Sequence, residues 1–332
     1  MFKILSIDGG GIRGVIPAKW LERLEEQLGT LLCNHFDMVA GTSTGAVLAA
    51  GVAAGIPAKK LLNLYTKHGP DIFPPRGFSN RRRSFFNPFL KPRYEEEPLA
   101  EVLQNHFSGI GADPITLSQL KLDTLIVTYD VLYRRPRVLC SWNEQDGRIP
   151  VWEACKASCS APTYFPAHQI ELDGVQCPLV DGGVVANNPS SLALAFAIKK
   201  QLKGDLKAFE SDQTPFLVSM GTGNLTRAIS IDEAKQWGTA QWALPILDVL
   251  FDGTSSADEL VCEAVLSDDA YVRLQVELRI ASDDFDDATP QNLNDLQAEA
   301  MKYIAEPDGR RNFEKIVEVL KGSSASVVPG AV

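Results

Sequence analysis

Phe36-Asp37-Met38-Val39-Ala40-Gly41-Thr42-Ser43-Thr44-Gly45-Ala46-Val47-Leu48-Ala49-Ala50 runs from an apolar strand-like segment through a tight turn into a helix of small residues. The turn is a Gly-x-Ser-x-Gly sequence. A strand before it and a helix after it are the context of a nucleophile elbow, in which the serine occupies a strained turn and glycines two residues away let the chain bend and substrate approach. Serine is also a common helix cap, so the motif alone leaves a purely structural reading open.

Upstream, a strand-like run at residues 2–7 leads into Asp8-Gly9-Gly10-Gly11-Ile12-Arg13-Gly14 and then an amphipathic helical pattern through Val15, Ile16, Trp20, Leu21, Leu24 and Leu28. Consecutive glycines can turn sharply and aim several amides at one point, and the following helix presents its positive end there, so the loop is a nest for negative charge. Gly9-x-Gly11-x-x-Gly14 also fits a dinucleotide fingerprint, which needs an acidic residue closing the second strand. Asp37 opens that strand instead, which removes most of the support for a nicotinamide or flavin enzyme.

Further strand-like runs at residues 124–131, 137–142, 176–180, 215–220 and 271–278 are mostly solid apolar blocks, the mark of strands buried on both faces. Strand and helix alternate to about residue 220; Asn188-Pro189 reads as the opening of a helix over 190–200, and helices are expected at 233–251, 256–266, 292–304 and 311–320. The fold class is therefore α/β, a three-layer α/β/α sandwich with a mainly parallel central sheet. Residues 1–320 read as one domain, and 321–332 as a flexible tail.

A hydroxyl nucleophile needs a base. The histidines are His35, His68, His106 and His168, all before the strongest acid candidate, Asp181, in Val180-Asp181-Gly182-Gly183. The usual Ser, Asp, His order of an α/β-hydrolase cannot be assembled around that aspartate. A carboxylate that touches the serine directly would remove the need for histidine, provided burial raises its pKa from near 3.9.

The 332 residues are 45% hydrophobic and 22% charged, with 32 basic against 42 acidic side chains, for a net charge of −10. Disorder is excluded by that composition, and nucleic acid binding is disfavoured by that charge. Six cysteines spread at 33, 140, 155, 159, 177 and 262 suit a reducing compartment, and their spacing completes no zinc set, so no metal is expected. No signal peptide or membrane span is read, which gives a cytoplasmic expectation. Asp283, Asp284, Asp286 and Asp287 lack calcium-loop spacing and read as a solvated loop. Residues 76–93 reverse the overall charge, with six basic residues, no acid and four phenylalanines. Arg81, Arg82, Arg83, Phe85 and Phe86 are therefore candidate contacts to an anionic lipid surface, the alternative being that the phenylalanines pack on the body.

The glycine loop, the Ser43 elbow and Asp181-Gly182-Gly183, taken together in that order, resemble the patatin-like phospholipase family. Residues 158–166, the Asn187-Asn188-Pro189 that follows Asp181, and segments at 219–223, 245–256 and 271–275 are similar to it as well, so the resemblance runs over residues 2–320. It implies Ser43 as nucleophile and Asp181 as base of a Ser-Asp dyad, with an oxyanion hole from Gly9, Gly10, Gly11, Arg13 and Thr44. Gly14, Gly41, Gly45, Gly182 and Gly183 are the motif glycines, and Arg13 is expected to steady the loop or a lipid head group. The implied activity is cleavage of fatty acyl esters at a membrane or micelle surface through an acyl-enzyme, with no cofactor. Relatives also imply two alternatives, a membrane-degrading effector that needs an activator and a storage-type protein with residual esterase activity.

Overall fold

The computed structural model describes residues 1–74, 91–109, 113–204, 214–224, 228–242 and 245–322. Arg81, Arg82, Arg83, Phe85 and Phe86, with tail residues 323–332, lie outside them. The described residues form, in chain order, β1 (Lys3–Ile7), α1 (Val15–Leu28), β2 (Met38–Thr42), α2 (Thr44–Ala54), α3 (Ala58–Ile72), α4 (Glu97–His106), β3 (Asp123–Asp130), β4 (Arg135–Cys140) and α5 (Val151–Ser158). There follow β5 (His168–Leu172), β6 (Val175–Asp181), α6 (Gly183–Ala186), α7 (Ser190–Leu202), β7 (Phe216–Met220), α8 (Ile231–Gln236), α9 (Thr239–Trp242), α10 (Pro245–Val265), β8 (Tyr271–Leu274), α11 (Pro290–Tyr303) and α12 (Pro307–Gly322).

The strand order is β5-β6-β3-β2-β1-β7-β8, with β4 also pairing β3. The run from β3 to β8 is parallel, whereas β4, β5 and β6 join antiparallel. Every residue of β1, β2 and β7 is buried, as solid apolar strands require. Successive side chains point to opposite faces. Leu5, Val39 and Val218 pack with Trp20 of α1, Leu48 of α2, Leu61 of α3, Leu296 of α11 and Ile316 of α12. Ile4, Met38 and Leu217 pack on the other face with Leu194 of α7 and Cys262 of α10. The sheet is thus covered on both sides.

Departures from the sequence reading include helices α3 and α4, strand β5 and the helices of the last third. Strand β5, His-Gln-Ile-Glu-Leu, was not anticipated: it is an edge strand with only Ile170 and Leu172 buried, and so carries no apolar block. The helices expected at 233–251 and 256–266 are divided elsewhere. The chain breaks between α8 and α10, and α10 then runs unbroken through Gly253, because Phe251 packs inward against Gly183 and Thr254 hydroxyl bonds the Gly183 and Phe251 carbonyls.

Candidate active site

Ser43 joins β2 to α2 at φ 55° and ψ −125°. For a residue with a Cβ this backbone costs about 1–3 kcal/mol and persists only where its surroundings over-determine it. They do so here. The Ser43 amide donates to Ser158 Oγ at 2.8 Å, and that hydroxyl donates to the Val127 carbonyl at 2.6 Å. The Ser43 carbonyl accepts from the Ala46 amide at 2.9 Å. A Cβ at Gly45 would collide with the Ile7 carbonyl, so only glycine lets α2 start against β1.

The sheet register delivers Asp181 to the same point. Residues 125–127 of β3 pair with β2 and β4, and residues 128–130 pair with β6 and β4. Since β4 keeps one edge throughout, β2 and β6 meet head-on along the other. Asp181 is fully buried; its amide donates to the Ser160 carbonyl at 3.0 Å, and its Oδ1 accepts from the Gly183 amide at 2.8 Å. Burial pushes its pKa up to about 7, and hydrogen bonding from the Ser43 hydroxyl and then the Gly183 amide holds it from rising further. Oδ2 nevertheless has no partner in closed hydrogen-bond geometry among the described residues. The serine is close enough to act on the carboxyl, without a closed hydrogen bond between them.

The glycine loop passes alongside: a Cβ on Gly9 would lie 3.2 Å from that of Ser43. Its amides divide into two groups. Gly9 N donates to the Asn187 carbonyl, Ile12 N to the Phe285 carbonyl and Arg13 N to the Gly10 carbonyl, at 3.0, 3.0 and 3.1 Å. The amides of Gly10, Gly11 and Thr44 have no acceptor among the described residues. Of the expected oxyanion donors, Gly10, Gly11 and Thr44 are therefore free, while the Gly9 and Arg13 amides are committed. Gly11 sits at φ +56°, directly under the Phe285 ring and carbonyl. The Arg13 side chain is buried and donates to the Gly10 and Gly223 carbonyls, at 3.5 and 3.4 Å; it steadies the loop. The other motif glycines mark close packing, Gly14 on Thr44 and Tyr65, Gly41 on Gly45, Gly182 on Val127 and Gly183 on Phe251.

Several supporting residues were not singled out as site residues in the sequence. Arg273 donates through two nitrogens to the Asp8 carboxylate at 3.0 and 2.7 Å and to Ser219 Oγ at 2.6 Å; Asp8 and Ser219 are buried, and the Arg273 side chain is 8% exposed. Thr222 Oγ1 and Asn187 Nδ2 donate to the Gly9 carbonyl at 2.7 and 3.3 Å. The acidic segment 283–287, expected to be a solvated loop, is a clamp. Asp286 pairs with Arg93 at 2.6 Å and accepts from Tyr94 Oη at 2.5 Å, while Phe285 packs against Tyr164 and Phe251. Its partners lie about 190 residues away in the chain, beyond the reach of any local pattern.

Ser43 opens onto an apolar cavity of about 50 Å³, walled among others by Thr44, Leu64, Phe73, Phe165 and Phe285. That is room for a handful of waters. No histidine lines it, and His168 is instead beside Lys156, its pKa lowered to about 4 by burial and that charge. The arrangement offers a hydroxyl on a strained turn, a buried carboxyl that titrates near neutrality, and free amides beside them. It has the parts of acyl transfer.

A family profile described as patatin-like phospholipase matches residues 5–194. The chain is 30% identical to a Solanum tuberosum protein named Probable inactive patatin-3-Kuras 1, over 88% of this chain and 83% of that protein. It is 31% identical to Patatin-like protein 1 of Arabidopsis thaliana, over 91% of this chain and 81% of that one. Among solved structures it is similar to VipD from Legionella pneumophila, with a TM-score of 0.47 and 13% identity over 96% of this chain and 67% of that chain.

Proposed function

The chain belongs to the patatin-like phospholipase family, and from that premise we propose that it is a lipid acyl hydrolase working through Ser43 and Asp181. The observation that carries the reading is the meeting of a strained, over-determined serine with a fully buried carboxyl whose acidity burial has moved to about 7. In this mechanism Ser43 Oγ attacks the ester carbonyl carbon as its proton passes to Asp181. The carbonyl oxygen becomes an oxyanion held by the Gly10 and Gly11 amides, where one such donor is worth about 3–4 kcal/mol. Collapse breaks the ester C–O bond, and Asp181 returns the proton to the leaving alcohol. Water then attacks the acyl-enzyme, gives its proton to Asp181, and restores the serine hydroxyl as the fatty acid leaves. A base near pKa 7 is matched to this shuttle at neutral pH.

One observation favours a restrained form of the same enzyme. The cavity at Ser43 is too narrow for an acyl chain while Phe285 and Phe73 hold their places, so a lipid surface or an activator would have to open it. Mass spectrometry of products from a mixed lipid extract, with purified protein and no additions, tests both. Free fatty acid and lysolipid that disappear with Ser43→Ala support the hydrolase. Product formed only when another component is added supports the restrained form. No product under either condition sinks the proposal.

A further inference from the structure

We propose that the tip of the β3–β4 hairpin, residues 131–135, is a docking finger for an anionic lipid surface; this rests on the lipid reading of the Ser43 site. The tip is Val131-Leu132-Tyr133-Arg134-Arg135, and all five residues are exposed, the first three at 40%, 51% and 51%. Three apolar side chains held in water at one point call for a cause.

The tip is built, not frayed. The Asp130 side chain is buried beneath it and accepts from the Leu132 and Tyr133 amides at 2.9 and 3.1 Å. The Val131 amide donates to the Pro178 carbonyl of β6 at 3.2 Å. Arg134 closes the turn at φ 53°, and the Arg135 guanidinium lies over the Tyr133 ring at 5.0 Å. Neither arginine has a carboxylate partner among the described residues. Two free cations beside an apolar wedge match anionic head groups over an acyl boundary.

Its position fits the site. Because β2 and β3 are parallel, Ser43 and the tip both leave the C-terminal end of the sheet. Asp181 is level with Thr128, and Leu132 lies four residues further out, up to roughly 13 Å at the rise of a strand. The neighbouring β5–β6 turn ends with Val175 exposed, and contributes Asp173 as its acid. A second exposed apolar surface, on α10, alternates with Asp248, Asp252, Glu259 and Glu263, which anionic lipid repels. Charge therefore separates the hairpin from α10, and three consecutive exposed apolar side chains separate it from α7, which exposes Ile198 and Leu202 beside its lysines.

The test uses the full chain carrying Ser43→Ala, so that vesicles survive, and measures co-sedimentation with phosphatidylcholine vesicles with or without phosphatidylserine. Leu132→Asp with Tyr133→Asp is expected to weaken binding to the mixed vesicles about tenfold or more, and Arg134→Gln with Arg135→Gln to remove most of the preference for phosphatidylserine. With Ser43 intact, both variants should cleave soluble p-nitrophenyl butyrate at the parent rate, which shows that they fold. Vesicle binding equal to the parent's overturns the finger while leaving the hydrolase reading untouched. So does conversion of a dimeric parent to monomer with unchanged vesicle binding, which would make the tip a contact between copies. If the parent yields no product from soluble ester or from the mixed lipid extract with additions, the hydrolase reading is what fails, and loss of vesicle binding in the variants would still uphold the finger.

Discussion

Thr42 and Asp181 pair with consecutive residues of β3, Val127 and Thr128, from two strands that run toward each other along the same edge. The residue after Thr42 is Ser43, so the register sets the proposed nucleophile beside the carboxyl. Replacing either group is expected to remove the chemistry without touching the pairing. Ser43→Ala and Asp181→Asn are each expected to lower kcat for p-nitrophenyl esters by about 10³-fold or more, with unchanged circular dichroism. Purified Ser43→Ala protein that retains activity would eliminate the mechanism.

The raised pKa of Asp181 predicts two pH dependences. As the proposed base, it must be ionised, so kcat/KM should rise with pH through an apparent pKa near 7 and level off above it. Stability should move the other way. In the unfolded chain the group titrates near 3.8, so between about pH 4 and 7 the folded state holds a proton that the unfolded state has lost. Stability contributed by the protonated form is complete below the lower value and lost as pH rises through the upper one. Asp181→Asn should therefore stabilise the protein by about 2–4 kcal/mol at pH 8, and the gain should vanish toward pH 4, measured by urea unfolding at each pH.

Ser158 is placed to position Ser43, the proposed nucleophile, through the Ser43 backbone. Its hydroxyl takes the Ser43 amide and gives to Val127, and Ser158→Ala would leave both buried groups unpaired beneath a strained residue. A loss of about 1–3 kcal/mol in stability is expected. Relaxation of Ser43 should also lower kcat about tenfold while leaving KM nearly unchanged, because positioning acts on the reacting atom and not on the apolar wall. An unaltered kcat would reduce Ser158 to a stability role.

How far the sequence carries toward this site depends on the range of the signal. The elbow, the glycine loop and Asp181 are short patterns set by local backbone demands, and their strand-to-helix contexts were legible. So was the covered sheet, because β1, β2 and β7 are solid apolar blocks. Strand β5 was not, since as an edge strand it buries alternate residues only. Ser158 and Arg273 each lay within stretches quoted for their resemblance, yet their work is to bond groups 115 and 265 residues away. Asp286 looked solvated for the same reason: acidity is visible locally, and its Arg93 partner is not.

Arg273 is expected to hold the glycine loop in place through Asp8. Arg273→Gln would strand a buried carboxylate, a change that costs about 3–5 kcal/mol when one partner of a buried pair is removed. Asp8→Asn with Arg273→Gln should recover part of that stability, because no unpaired charge remains. Thermal unfolding of the single and double variants distinguishes this from an additive loss. If the double variant is as unstable as the sum of both singles, the pair is not what holds the loop.

Phe285 lines the cavity with its ring while its carbonyl accepts from the Ile12 amide, so truncating the side chain should widen the slot and leave the loop anchored. Each methylene buried on binding is worth about 0.8 kcal/mol, and a chain of ten carbons can use added length that one of four cannot. Phe285→Ala is therefore expected to raise the ratio of kcat/KM for p-nitrophenyl decanoate over butyrate about tenfold, at a cost in stability of about 3 kcal/mol. Phe285→Leu, which keeps most of the packing, should give a smaller rise in the same direction. An unchanged ratio in both variants would mean that the acyl chain leaves Ser43 by another route.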